Sequence, residues 1–121
     1  MIDHVTLNVG ELEPAKRFYE SALRPVGYEL VMDFPEWCGF ASDGIPNFFL
    51  SYRDEPSSPV HVAFVAPDRA AVDAFFEAAL TAGGRDNGPP GIRRVYHEHY
   101  CGAYVFDPEG NNIEAVTHDP Q

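Results

Sequence analysis

No run of about 18 apolar residues occurs in the chain, so no segment reads as a membrane-spanning helix. Cysteine is scarce: Cys38 and Cys101 are the two in 121 residues, and they show neither CxxC nor metal-knuckle spacing. Both sit in hydrophobic surroundings and read as free buried thiols, which points to a reducing compartment, the cytoplasm. Positive charge is scarce as well. Eight Lys and Arg stand against 19 Asp and Glu, a formal net charge of −11, which argues against nucleic acid or an anionic membrane as partner. The acids are scattered, as on a solvated surface, and say little about a substrate. The start opens directly into a strand-like run without a basic n-region or an apolar h-region, so no secretory leader is expected. Low-complexity sequence is absent, and the Pro- and Ser-rich stretch 54–59 reads as a linker. The remaining composition is that of an ordinary globular protein, and the length fits one domain, residues 1–121.

What the chain does have is an internal repeat. Shifted by 57 positions, residues 3–27 fall on residues 60–84 without a gap, with seven identities. His4 falls on His61, Val5 on Val62, Phe18 on Phe75, Glu20 on Glu77, Ala22 on Ala79, Leu23 on Leu80 and Gly27 on Gly84. Two copies are too few for a solenoid, so a domain of paired modules follows, 1–53 and 60–119. Each copy opens on an alternating strand: Asp3, Val5, Leu7 and Val9 share one face and His4, Thr6 and Asn8 the other. In the second copy Val60, Val62 and Phe64 oppose His61, Ala63 and Val65. Amphipathic helices follow, with stripes Leu12, Ala15, Tyr19, Ala22, Leu23 and Val72, Phe75, Phe76, Ala79, Leu80. Pro14 suits a first helical turn, Asp68 an N-cap and Gly83-Gly84 a helix stop.

Three strands are expected after each helix: 28–33, 37–42 and 47–53, then 92–98, 102–106 and 112–117. Asn87-Gly88-Pro89-Pro90-Gly91 reads as a loop. Asp107-Pro108-Glu109-Gly110 has type I turn composition and closes a hairpin of the last two strands. The expected fold class is α+β, two βαβββ modules.

A lone histidine in a strand is usually structural or surface. Two at equivalent positions, His4 and His61, both opposite the helix-packing residues, are a stronger signal. Aligning the module ends puts Glu114 opposite Phe49, inside an apolar closing strand. A carboxylate there is expensive to bury unless paired or bound to a cation; the alternative is an edge strand with Glu114 facing water. His4, His61 and Glu114 together form a two-imidazole, one-carboxylate set suited to Fe, Mn, Ni or Zn, with positions left open. Such a metal holds two adjacent substrate oxygens and stabilises the charge that develops on them.

The openings Asp3-His4-Val5-Thr6-Leu7-Asn8-Val9 and Val60-His61-Val62-Ala63-Phe64 resemble the first strands of the two modules in the vicinal oxygen chelate superfamily. The segment Tyr104-Val105-Phe106-Asp107-Pro108-Glu109-Gly110-Asn111-Asn112-Ile113-Glu114 resembles its closing signature. The resemblance implies a paired, U-shaped, mostly antiparallel sheet around a metal cleft. It also implies a small-molecule substrate and a homodimer, in some members with modules exchanged between subunits. Phe49 stands where glyoxalase I members hold a second carboxylate, whereas extradiol dioxygenases and fosfomycin-resistance transferases use a His, His, Glu set. Fosfomycin chemistry needs cations around the phosphonate, and no Arg or Lys follows Arg94. In extradiol enzymes a nearby His and Tyr assist proton transfer; His97, His99 and Tyr104, with Tyr100, are the candidates here. The implied function is that of a metal-dependent lyase, isomerase or dioxygenase. The alternative is a metal-free, bleomycin-resistance-like protein that binds a small molecule or antibiotic. Trp37, Phe40 and Phe49 read as core or cleft wall.

Overall fold

The computed structural model describes residues 1–120; Gln121, the end of the expected domain, lies outside the described residues. Along them run β1 (Val5–Val9), α1 (Leu12–Ala22), a 3-10 turn (Arg24–Val26), β2 (Glu29–Asp33), β3 (Trp37–Ala41) and β4 (Phe48–Tyr52). The second copy repeats the order with β5 (His61–Val65), α2 (Arg69–Thr81), β6 (Arg85–Ile92), β7 (Cys101–Phe106) and β8 (Asn112–Thr117). The strands form two four-stranded sheets, ordered β1-β4-β3-β2 and β5-β8-β7-β6. In each sheet the opening strand pairs parallel with the closing one, Val5 opposite Phe48 and His61 opposite Asn112, and the other pairings are antiparallel. This is the expected α+β class of two βαβββ modules.

The helices form where apolar residues recur at three- and four-residue spacing, and their inward faces are buried: Leu12, Ala15, Phe18, Tyr19 and Ala22 on α1, Val72, Phe75, Phe76 and Ala79 on α2. Asp68 caps α2 by accepting from the Ala71 N–H at 2.8 Å. Gly83 ends that helix with φ +104, a left-handed conformation that suits glycine.

The two modules share one core on the helix side of both sheets. Phe64 of β5 packs edge-on against Phe48 of β4, ring centres 5.1 Å apart, and against Tyr28 at 5.2 Å. A Cβ on Gly84 would lie 2.7 Å from the Phe18 ring, so glycine is what lets α1 close on the second module. Both faces opposite the helices, which carry His4 and His61, therefore look away from the shared core. Among the described residues no helix is long and apolar enough to cross a membrane.

One stretch differs from the sequence reading. Residues 87–91, read as loop, lie inside β6, while 92–98, read as strand, is mostly turn. The local signal misled because β6 is the outer strand of its sheet, where a proline without an N–H leaves no ladder bond broken. Register shifts between Asp86 and Gly88 and between Gly88 and Gly91 absorb the irregular residues as bulges. His97 and His99 accordingly stand on a turn rather than alternating along a strand.

Both cysteines are free and buried, and burial pushes the Cys38 thiol up to about 11. Because the thiolate is the reactive form, Cys38 in the folded protein is expected to resist iodoacetamide at pH 8 for hours, then react within minutes in denaturant. Mass spectrometry of the alkylated chain reads this; equal labelling with and without denaturant would contradict the packing.

Candidate functional site

β8 alternates its side chains so that Ile113 and Ala115 enter the core while Asn112, Glu114 and Val116 stand on the opposite face. Glu114 is nonetheless almost sealed, its side chain 2% exposed, whereas the His61 side chain is 51% exposed. The parallel register sets Ala63 beside Glu114 and brings His61 Nε2 to 2.8 Å from Glu114 Oε1. The other carboxylate oxygen, Oε2, accepts from the Tyr100 hydroxyl. Burial first, and the bond to Glu114 second, hold the Tyr100 phenol well above its ordinary range, so it stays protonated and remains a donor. Gly102 makes room for this closure: a Cβ there would lie 3.2 Å from Glu114 Oε2 and 3.3 Å from the Tyr100 ring. Tyr104, directly across from Glu114 on β7, has its ring centre 6.1 Å from that of His61, and burial raises its phenol too.

The first module builds an aromatic counterpart. His4, just before β1, pairs Nδ1 with Asp3 Oδ1 at 2.6 Å and sets its ring edge-on to Phe49 at 5.5 Å. Phe49 lies across Gly39, where a Cβ would meet its ring at 2.9 Å. Trp37 adjoins Phe49 at 6.1 Å and stacks with Phe34 at 4.7 Å. Trp37 and Phe49 are thus wall, while Phe40 is fully buried in the core.

His61 and Glu114 are brought together, and His4 is not within the same group. His4 and His61 do border one open cleft of about 540 Å³, along with Val5, Tyr28, Phe48 and Phe64. Among the described residues no three His, Cys, Asp or Glu side chains stand close enough to hold a metal ion. The His61–Glu114 pair brings together an imidazole and a carboxylate, two donor types that would suit a divalent first-row ion. His97 meets the ring of Tyr100, whose hydroxyl holds Glu114, and neither His97 nor His99 bonds to the pair itself. His97 Nδ1 accepts from the His99 N–H at 3.1 Å, so its proton is on Nε2, which donates to His118 Nδ1 at 2.5 Å. The Tyr100 ring meets both His97 and His118 edge-on, 5.6 and 5.3 Å away.

A family model described as the Glyoxalase/Bleomycin resistance protein/Dioxygenase superfamily matches residues 1–115. The chain belongs to that superfamily. Among solved structures it is similar to a glyoxalase/bleomycin resistance protein from Albidiferax ferrireducens T118, with a TM-score of 0.81 and 28% identity over 95% of this chain and 96% of that one. A glyoxalase-related enzyme from Fulvimarina pelagi shares the fold at a TM-score of 0.74 and 22% identity, covering 97% of this chain and 87% of the other. So does a lactoylglutathione lyase from Agrobacterium tumefaciens, at 0.72 and 20%, covering 97% and 92%. No curated protein matches the chain.

Within this glyoxalase/dioxygenase superfamily chain, the closing motif holds the modules together. Asp107, 2% exposed, accepts from the Glu109 and Asn111 N–H groups, from Asn111 Nδ2 and from the Tyr19 hydroxyl of α1. Glu109 accepts from the Gly10 and Glu11 N–H groups at 3.0–3.1 Å, placing a carboxylate at the start of α1 where the helix dipole favours it. Sequence reasoning identified the turn but not these partners, which lie far away along the chain. It also missed Arg93, and no local signal marks that residue, since its neighbours read as loop and strand.

Proposed function

We propose that this protein is a metal-dependent enzyme that binds a small substrate through two vicinal oxygens on a divalent ion. His61 and Glu114 of one copy hold that ion together with His4 of a second copy in a homodimer. The carrying observation is the 2.8 Å His61–Glu114 pair, built around a buried carboxylate on a sheet face that looks away from its own chain's core. The repeat mate His4 sits on the corresponding face of the other sheet and borders the same cleft without joining the pair, which is why the third donor is assigned to another copy. Two further features support the dimer. β1 and β5 are both outer strands with a free edge, and Val65, on the open face of β5, is 75% exposed.

Fe, Mn, Ni and Zn all suit this donor set. When bound, the ion supplies Lewis-acid stabilisation of charge on the substrate oxygens. The chain does the rest: Tyr100 fixes the carboxylate, and the Phe49–Trp37 wall keeps water from one side. Phe49 offers no second carboxylate, which favours dioxygenase-type over lactoylglutathione-type chemistry. The two buried free thiols fit a reducing compartment such as the cytoplasm. A metal-free binding protein is the second reading, favoured by one observation: both Glu114 oxygens already have protein donors, His61 and Tyr100, so burial needs no cation.

Complementation separates the two. Purified without chelator, the wild type should carry about one divalent ion per chain, and His4→Ala and Glu114→Gln should each carry none. Mixed by unfolding and refolding together, they should regain one site per heterodimer, the one pairing intact His4 with intact Glu114. Metal analysis of the mixed dimer checks this; no metal in wild type or mixture would leave the binding-protein reading standing.

A further inference from the structure

On the open face of the second sheet, one cation has no carboxylate partner among the described residues and takes no part in the chelating pair. Ala63, Glu114, Tyr104 and Gly88 are successive neighbours across β5, β8, β7 and β6. Gly88 contributes no side chain to this row, and Arg93 occupies the space. Its guanidinium carbon lies 5.4 Å from the centre of the Tyr104 ring, and Nη2 donates to the Pro89 carbonyl at 2.7 Å. A Cβ on Gly91 would come to 2.9 Å from Nη1, and one on Gly88 to 3.3 Å from Nη2. In the bulged Gly-Pro-Pro-Gly stretch of β6 the two glycines thus leave the space in which the guanidinium lies. Among the described residues no carboxylate pairs with Arg93, although acids outnumber bases 19 to 8 in the chain.

We infer that Arg93 is an anion subsite, and that the substrate carries a carboxylate at the end away from its metal-bound oxygens. The inference deepens the function proposed above and rests on it for the identity of that other end. An acidic protein repels anions at long range, so an anionic substrate needs a local cation. A guanidinium stacked on a ring and tied to a carbonyl is already oriented, and its remaining fork matches a planar carboxylate in two parallel hydrogen bonds. Little side-chain freedom is left to lose on binding. The Tyr104 ring lies 5.4 Å from the Arg93 guanidinium and 6.1 Å from the His61 ring, so a substrate that joins the two ends spans this tyrosine.

The test reads Arg93 directly and needs no metal. In ¹⁵N-labelled protein the Arg93 Nε–H signal is assigned by its loss in Arg93→Gln, then followed while benzoate, inorganic phosphate or benzamide is added at constant ionic strength. Benzoate should move the signal saturably, phosphate should need about tenfold more, and neutral benzamide should leave it in place. The same benzoate response at the Tyr104 amide should vanish in Arg93→Gln and weaken in Arg93→Lys, which keeps the charge but not the fork. In Gly91→Ala, where the new methyl displaces the guanidinium from its place, benzoate should bind several-fold more weakly. Benzamide acting like benzoate, phosphate binding more tightly than benzoate, or a Tyr104 response unchanged in Arg93→Gln would each overturn the carboxylate subsite. Any of these alongside an intact metal complement sinks the subsite alone, whereas a benzoate response in a protein that takes up no metal sinks only the chelate.

Discussion

Glu114→Gln is expected to weaken divalent-metal binding by more than about 100-fold while leaving the thermal midpoint within a few degrees of wild type. Removing a partner that merely orients a ligand lowers metal affinity roughly 10–100-fold, and Glu114 is proposed as a ligand itself. The fold should survive because glutamine keeps the shape and can keep the hydrogen bonds. Its amide oxygen can accept from Tyr100, and its amide nitrogen can donate to His61 Nε2 once that imidazole carries its proton on Nδ1. Tyr100→Phe provides the graded comparison. It frees one carboxylate oxygen and should lower affinity by about tenfold. Isothermal titration with Mn(II) and Zn(II), beside a melting curve, reads both variants. Unchanged affinity in Glu114→Gln would remove this carboxylate from the site.

Asp107→Ala is expected to be the most destabilising single change, by about 3–5 kcal/mol, because it strands buried donors. Four protein donors converge on this carboxylate, and the Tyr19 hydroxyl among them is fully buried. A domain's whole stability is about 5–15 kcal/mol, so the variant stands near the edge of folding. Urea denaturation should show a midpoint lower by about 2 M, given slopes of roughly 1–3 kcal/mol/M. Tyr19→Phe removes a single donor and should cost about 1 kcal/mol. Burial and the neighbouring Asp107 hold the Tyr19 phenol well above its ordinary range. Its contribution is thus complete below the unfolded value near pH 10 and is lost as pH rises through the folded one. Tyr19→Phe should accordingly flatten the alkaline fall in stability. A smaller shift for Asp107→Ala than for Tyr19→Phe would show that the carboxylate does not hold the modules together.

Features that depend on near neighbours were legible in the sequence. Both helical stripes, the Asp68 cap, the stop at Gly83 and the turn at residues 107–110 follow from side chains within a few positions of one another. The β8 alternation around Glu114 was legible for the same reason. β6 was not, because prolines are tolerated there only through its place at the outside of a sheet, which periodicity does not encode. His97 and His99 alternate as strand residues do, yet the chain turns through them, and His97 is held by His118 from the far end of β8. The repeat placed His4 and His61 at matching positions. It could not tell that the modules join through their helix sides and leave the two histidines at one cleft but outside a common donor group, since an apolar face carries no label for its partner. Tyr100 and Arg93 act on Glu114 and Tyr104 across strands, beyond the reach of any local pattern.

The bonds from Asp107 and Glu109 to α1 span 88 to 99 residues of sequence. During synthesis the first helix is therefore made long before the groups that secure it. Until β7 and its turn emerge, the Tyr19 hydroxyl lacks its Asp107 acceptor and the amides at the start of α1 lack their Glu109 carboxylate. A nascent chain halted in the second module is a sticky intermediate of the kind that recruits chaperones or is degraded. The first module is thus closed at the start of its helix only once the short acidic turn after β7 has been made.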